Sequence, residues 1–150
     1  MKRAHIFAGG GSGFSQGVLL ALIRWYDRTS PEIIMAFIHI NDYKPIELAP
    51  GARARTPYGE NVMLSYLELD AGSQIPRHSH PHEQAGMMLQ GKLELTVGDE
   101  SRVCEPGDMF IIPPNTPHAA RPVDGPAIVL DVFSPVREDY ANLFNKYVRA

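Results

Sequence analysis

Four side chains, His78, His80, Gln84 and His118, have the types and spacing of a metal-ligand set. Alternate residues of an extended chain project to one face, so His78 and His80 can present two imidazoles to the same side of a sheet. Gln84, past the turn expected at Pro81, offers a carbonyl oxygen, and His118 completes the set if a returning strand brings it alongside. Three imidazoles and an amide oxygen suit a divalent ion and leave positions open for substrate. Glu83 falls on the opposite face of an ideal strand, which makes Gln84 the expected ligand of the two. His82 shares the parity of Gln84 but follows the bend at Pro81, so it is expected to support the ligands from behind or to lie at the surface.

A carboxylate stands in the apolar run Ala127 to Phe133. Asp131 and Phe133 share one strand face, opposite Leu130 and Val132. An aspartate in such a strand is costly unless paired or used. Two readings follow. Asp131 forms an ion pair with Arg137 that pins the last helix to the sheet, or it is a reactive carboxyl pointing toward the metal.

Short strands must position these groups. Apolar and polar residues alternate over Val62 to Leu69, Ala85 to Leu89, Lys92 to Val97, Ser101 to Cys104, Met109 to Ile112, His118 to Arg121 and Ala127 to Phe133. Turns are expected at Asp70-Ala71-Gly72, Gly98-Asp99-Glu100, Glu105-Pro106-Gly107 and Val123-Asp124-Gly125-Pro126. Many short strands with this punctuation predict an all-β antiparallel sandwich or barrel. Ser134-Pro135 then reads as a helix start, with serine as cap and proline in the first turn. Val136, Tyr140, Leu143, Phe144 and Tyr147 fall on one face of that helix and are expected to dock on the barrel.

Residues 1–34 have a different character. Ala4 to Phe7, the glycines between Gly9 and Gly13, and a helix-like Ser15 to Asp27 have the outline of a dinucleotide-binding unit. The full glycine spacing is missing at Gln16, and no second strand with an acidic ribose ligand follows. The segment is expected to be an arm with an amphipathic helix, ahead of a compact domain over 35–150. Met35 is an alternative start for that domain.

The chain has 150 residues and a formal net charge of −3, enough length for one domain with its own core. Its dispersed charges offer no basic stripe for nucleic acid or an anionic membrane. The apolar run Val18 to Ile23 is too short to span a bilayer. Cys104 is the single cysteine, is expected to be a buried thiol, and agrees with a reducing cytoplasm.

Two stretches together carry a family resemblance. Gly72 to Gln84, ending Met87-Met88-Leu89-Gln90-Gly91, resembles the first motif of the cupin superfamily, and Gly107 to His118 resembles the second. The resemblance implies a single double-stranded β-helix, or jelly-roll barrel, with a metal inside and often a homodimer. The first motif usually has glutamate where this chain has Gln84. The second often has glycine at Asn115, where asparagine also tolerates a left-handed backbone, and asparagine at Pro122. An all-neutral ligand set leaves the ion its full charge, which favours Lewis-acid work on an anionic oxygen over redox chemistry.

Asp131-Val132-Phe133-Ser134-Pro135-Val136-Arg137, with His80-Pro81-His82-Glu83-Gln84, is similar to the small cupins of the pectin-degradation type, which act on 4,5-unsaturated monouronates from pectin and alginate. That resemblance covers about residues 45–140. It implies His78, His80, Gln84 and His118 as ligands of one divalent ion (Zn, Ni, Mn or Fe), Asp131 and Arg137 as catalytic residues, and Phe133 with Arg137 against a small anionic sugar-derived substrate. The alternatives are an Fe(II)-dependent cupin dioxygenase and a non-catalytic sugar-binding or sensor cupin.

Overall fold

The computed structural model describes residues 37–148, with side chains to Lys146. The arm and helix expected within residues 1–34 lie outside the described residues. A 3-10 turn at Ile40–Asp42 leads into eight strands and a helix. The strands are β1 (Ile46–Ala49), β2 (Ala52–Arg55), β3 (Met63–Leu69), β4 (Ile75–His78), β5 (Glu83–Val97), β6 (Glu100–Cys104), β7 (Met109–Ile112) and β8 (His118–Ser134), and the helix is α1 (Glu138–Val148). All strand pairings are antiparallel, in the order β1-β2-β3-β8-β5-β6, with β4 also paired to β8 and β7 to β5.

The expected all-β architecture is present, but its long strands differ from the expectation. Ala85 to Leu89 and Lys92 to Val97 belong to one strand, β5, and His118 to Arg121 and Ala127 to Phe133 belong to one strand, β8. The turn expected at Val123 to Pro126 is instead an irregularity within β8, where Asp124 and Gly125 take φ of 57° and 142°. It faces a break in the β5 register between Met88 and Lys92. Gly91 lies there at φ 73°, and a side chain on it would overlap the Pro126 carbonyl oxygen. The extra residues reverse the parity of both strands, as a bulge does. Gln84, Gly86 and Met88 face inward before the break in β5, and Leu93 and Leu95 after it; in β8 the inward set passes from His118 and Pro122 to Ala127, Val129, Asp131 and Phe133.

The main core gathers Leu67, Leu69, Met88, Leu93, Ile112 and Val129, all nearly or fully buried. Each such side chain contributes roughly 1.5–3 kcal/mol of burial free energy. Cys104 belongs to this core as a free, buried thiol. A second cluster of Met63, Phe133 and Ala141 seats α1, and Phe144 packs on the rings of Tyr43 and Tyr58.

Two details of the C-terminal expectation need correction. Ser134 ends β8 instead of capping a helix; its hydroxyl donates to the Asn61 carbonyl, the bond to Pro135 is cis, and α1 begins at Glu138. Leu143 is among the exposed apolar residues, because Ala141 and Phe144 take the buried face. The short strands β1 and β2 were not anticipated as strands, and the extended stretch expected to carry both His78 and His80 is β4, which ends at His78. The run Ala52-Arg53-Ala54-Arg55 alternates, but alanine is a weak apolar signal, even though Ala52 and Ala54 are fully buried. Among the described residues no helix is long and apolar enough to cross a membrane.

Candidate metal centre and adjoining carboxyl

The two histidine segments meet where β4 ends and β8 begins. His78, the last residue of β4, stands opposite His118, the first of β8. His80 follows in the connection to β5, so it does not share a regular strand with His78. That connection is tied to the opposite turn by the Asn115 amide, which donates to the His80 carbonyl at 2.7 Å. Asn115 has φ 62°, the left-handed conformation expected of it.

The three imidazoles converge. Ring centroids of His78 and His118 are 4.3 Å apart, and those of His80 and His118 5.0 Å. One potential ligand atom from each lies within 4.8 Å of the others. Each ring also has its Nδ1 engaged by a backbone carbonyl: Pro76 for His78 at 2.8 Å, His82 for His80 at 3.1 Å, and Thr116 for His118 at 2.8 Å. A carbonyl only accepts, so each Nδ1 carries a proton, and in the neutral ring that leaves the lone pair on Nε2. Burial, followed by the charge of Arg137, lowers the pKa of His80 to about 4. Burial also lowers His118, against the opposing hydrogen bond to Thr116. The His118 Nε2 is buried without a partner.

Gln84 closes the fourth side. Its Nε2 donates to Asp131 Oδ1 at 2.8 Å, which turns Oε1 toward His80 Nε2 at 3.3 Å. With His80 neutral and its proton on Nδ1, two lone pairs face each other, an arrangement that a shared cation relieves. The donor set therefore fits a divalent ion, with backbone carbonyls fixing the tautomers as they commonly do around metal-binding histidines.

Asp131 lies on the inward face of β8 beside this cluster and is 4% exposed. Burial raises its pKa to about 7, against the opposing effects of the Gln84 hydrogen bond and the Arg137 charge. Of the two readings of Asp131, the ion pair with Arg137 is not formed. Arg137 pairs with Asp139, through Nε to Oδ1 at 3.2 Å and Nη2 to Oδ2 at 2.7 Å. Its guanidinium carbon lies 3.8 Å from the ring centre of Tyr140 and 5.1 Å from that of Phe133. Packed against these two rings, Arg137 is 7% exposed, yet it still lines the same cavity as His118, Gln84, Asp131 and Phe133.

His82 is buried, so the surface alternative for it fails. Its carbonyl orients His80, and its Nε2 lies 3.3 Å from Glu138 Oε2 at the start of α1. Sequence reasoning did not find Tyr140 and Asp139 as neighbours of Arg137. The three-residue spacing of Arg137 and Tyr140 is the one local signal, and it depended on knowing where the helix starts. It also passed over Gly86, which faces both Phe110 and Asp131 across the sheet.

Residues 65–133 match the cupin domain family. H2HPP isomerase of Bacillus subtilis is 36% identical over 73 residues, covering 47% of this chain and 30% of that protein. Dimethylsulfoniopropionate lyase DddQ of Ruegeria pomeroyi is 34% identical over 76 residues, covering 49% of this chain and 38% of that protein. The chain thus spans about a third of the length of these curated relatives. Among solved structures, KdgF from Halomonas sp. superposes with a TM-score of 0.65 at 29% identity, over 69% of this chain and 96% of that one. An RmlC-like cupin from Shewanella frigidimarina gives a TM-score of 0.65 at 26% identity, over 69% and 94%. Strand order, the facing histidine segments and these similarities agree: the chain is a cupin, and KdgF is among the proteins it resembles.

Proposed function

We propose that this cupin is a metal-dependent enzyme that converts a 4,5-unsaturated monouronate into its linear keto form without net oxidation or reduction. The observation that carries this reading is the Gln84 side chain, which joins His80 of the candidate metal cluster to the buried carboxyl of Asp131. The similarity to KdgF and the motif shared with the pectin-degradation cupins support the substrate class. The names of the two curated relatives, an isomerase and a lyase, favour non-redox chemistry over the dioxygenase alternative.

His78, His80, His118 and the Gln84 Oε1 would hold the divalent ion, Zn, Ni, Mn or Fe. Bound there, it would supply Lewis-acid stabilisation of negative charge on a substrate oxygen. The chain's own groups account for the proton movements. The anomeric hydroxyl loses its proton as the bond from C1 to the ring oxygen breaks; the ring oxygen leaves as an enolate, and a proton added at C4 gives the ketone. One carboxyl that both accepts and returns a proton serves both ends of this sequence, and Asp131, titrating near 7, is suited to do so. Arg137 would bind the substrate carboxylate, and Phe133 would form an apolar wall beside it.

A homodimer is part of this proposal. Two rows cross four strands on the outer face, Leu64-Val132-Ala85-Ile111 and Tyr66-Leu130-Met87-Met109. They carry no charge, so two copies meeting there would oppose no like charges. Met109 and Ile111 are 76% and 68% exposed. The buried free thiol of Cys104 supports a cytoplasmic location.

The test is to incubate metal-loaded protein with unsaturated monouronates and follow loss of the ring double-bond absorbance, with the linear ketone identified by NMR. Turnover is expected. Binding without turnover across the panel would instead support a sugar-binding cupin.

A further inference from the structure

Among the described residues Arg137 is the one buried Lys or Arg side chain on the candidate cavity, and the structure holds it on two sides. Asp139 takes the edge made by Nε and Nη2 through two hydrogen bonds, while Tyr140 lies against the flat face at 3.8 Å with Phe133 farther off. Nη1 has no hydrogen-bond partner among the described residues. A guanidinium has five N–H donors in a rigid plane, and a bidentate partner on the Nε side leaves the opposite end available for a second carboxylate. The aromatic stack prevents rotation out of that plane.

We infer that Asp139 and Tyr140 are positioning residues that fix the Arg137 guanidinium with its Nη1 end available to a carboxylate in the cavity. The inference rests on the proposed reading of Arg137 as the group that receives the substrate carboxylate. Neither residue needs to touch substrate. Asp139 is 57% exposed at its side chain and lies on the solvent side of the pair. Its carboxyl, opposed by partial burial, is held below the usual range by the Arg137 hydrogen bond and charge. A long cationic side chain ordinarily loses rotamer freedom when it grips an anion, and prior fixation removes that cost from binding. Charge alone would not select a direction. The two-sided hold does, which matches a substrate whose carboxylate must stay fixed while the rest of its ring opens.

The first experiment reads Arg137 directly, without ligand, from the Nε–Hε signal in nitrogen–proton correlation spectra. A rigid, slowly exchanging signal is expected in the wild type and a mobile one in Asp139→Ala and Tyr140→Leu, with Asp139→Glu partly restoring order. An equally ordered signal in both truncated variants, or a mobile one in the wild type, overturns the inference. The second experiment uses the metal-loaded protein and galacturonate, a non-reacting uronate, in calorimetric titrations. Asp139→Ala is expected to weaken binding by about tenfold, the cost of immobilising about one such side chain, and to have no further effect in an Arg137→Met background. An effect of equal size in that background would show that Asp139 acts through general stability, and would overturn the positioning role. Turnover separates the two proposals: a wild type inert toward every unsaturated uronate, but with Asp139-dependent order at Arg137, removes the enzymatic reading and leaves this one standing.

Discussion

Gln84 donates a hydrogen bond from Nε2 to Asp131 Oδ1 across 2.8 Å, from β5 to β8. Its other end faces His80. One neutral amide therefore orients both a candidate ligand set and a buried carboxyl, and neither can be altered without disturbing the other.

Replacing Gln84 by glutamate keeps the shape and reverses this relationship. A carboxylate would then face Asp131 at hydrogen-bond distance, and two such groups do not both ionise. The expected outcome for Gln84→Glu is retained or increased metal content with turnover lowered on the order of a hundredfold, the scale of a mis-set general acid or base. Elemental analysis and turnover of the same preparation check it.

His78→Ala and His118→Ala should each lose bound metal, because the remaining ligands are too few for a tight site. Elemental analysis after gel filtration decides this. Full occupancy in both variants would sink the metal assignment.

Asp131→Asn separates chemistry from stability. Turnover should fall on the order of 10²–10⁴-fold with metal retained. In the metal-free protein the variant should be more stable than wild type at high pH, because Arg137 is already paired with Asp139 and loses no partner. The sign follows from the raised pKa of Asp131, about 7 when folded against 3.8 ordinarily. The stabilising contribution of its proton is fully present below pH 3.8 and is lost as pH rises through about 7. Above that, the ionised buried carboxylate costs on the order of 4 kcal/mol. His80, lowered to about 4, contributes with the opposite sign, but it is common to both proteins. Thermal melts of both metal-free proteins from pH 4 to 9 should therefore diverge with rising pH, and parallel curves would contradict the buried carboxyl.

A side chain at Gly86 has no room. The first carbon added there would overlap the Phe110 ring and lie 2.9 Å from Asp131 Oδ1. Gly86→Ala should destabilise the protein by roughly 1–3 kcal/mol, as overpacking does, and should impair turnover beyond the loss of folded protein. Denaturant melts and specific activity measured together provide the check.

On the outer face, Met109→Glu with Ile111→Glu should convert a dimer to monomer, since each copy would bring two charges into an apolar contact. Sedimentation velocity reads the outcome; an unchanged sedimentation coefficient would place any dimer interface elsewhere.

The chemistry of the candidate site was legible because it depends on residue types. Three histidines with a glutamine could be read as ligands without knowing their distances, and the strand pattern from Met63 to Phe133 was visible because burial on one face of a sheet enforces local alternation. The left-handed conformation at Asn115 was likewise foreseeable from the residue itself. Less visible were features that depend on distant partners. Asp124 and Gly125 looked like a turn, but their backbone conformations serve equally within a long strand when a neighbouring strand supplies the other half of the break. Ser134 and Pro135 had the residue types of a helix start, but the Asn61 carbonyl claimed the serine hydroxyl.

By itself the sequence determined which side chains can bind a cation, which can exchange a proton, and which faces of the strands are apolar. Only the tertiary structure decided that Arg137 pairs with Asp139 and leaves Asp131 to Gln84, and that His82 lies buried behind His80. The reason is physical: residue type sets what a group can bond to, but the partner it obtains depends on strand register and burial, which bring together residues as far apart in the chain as Gln84 and Asp131.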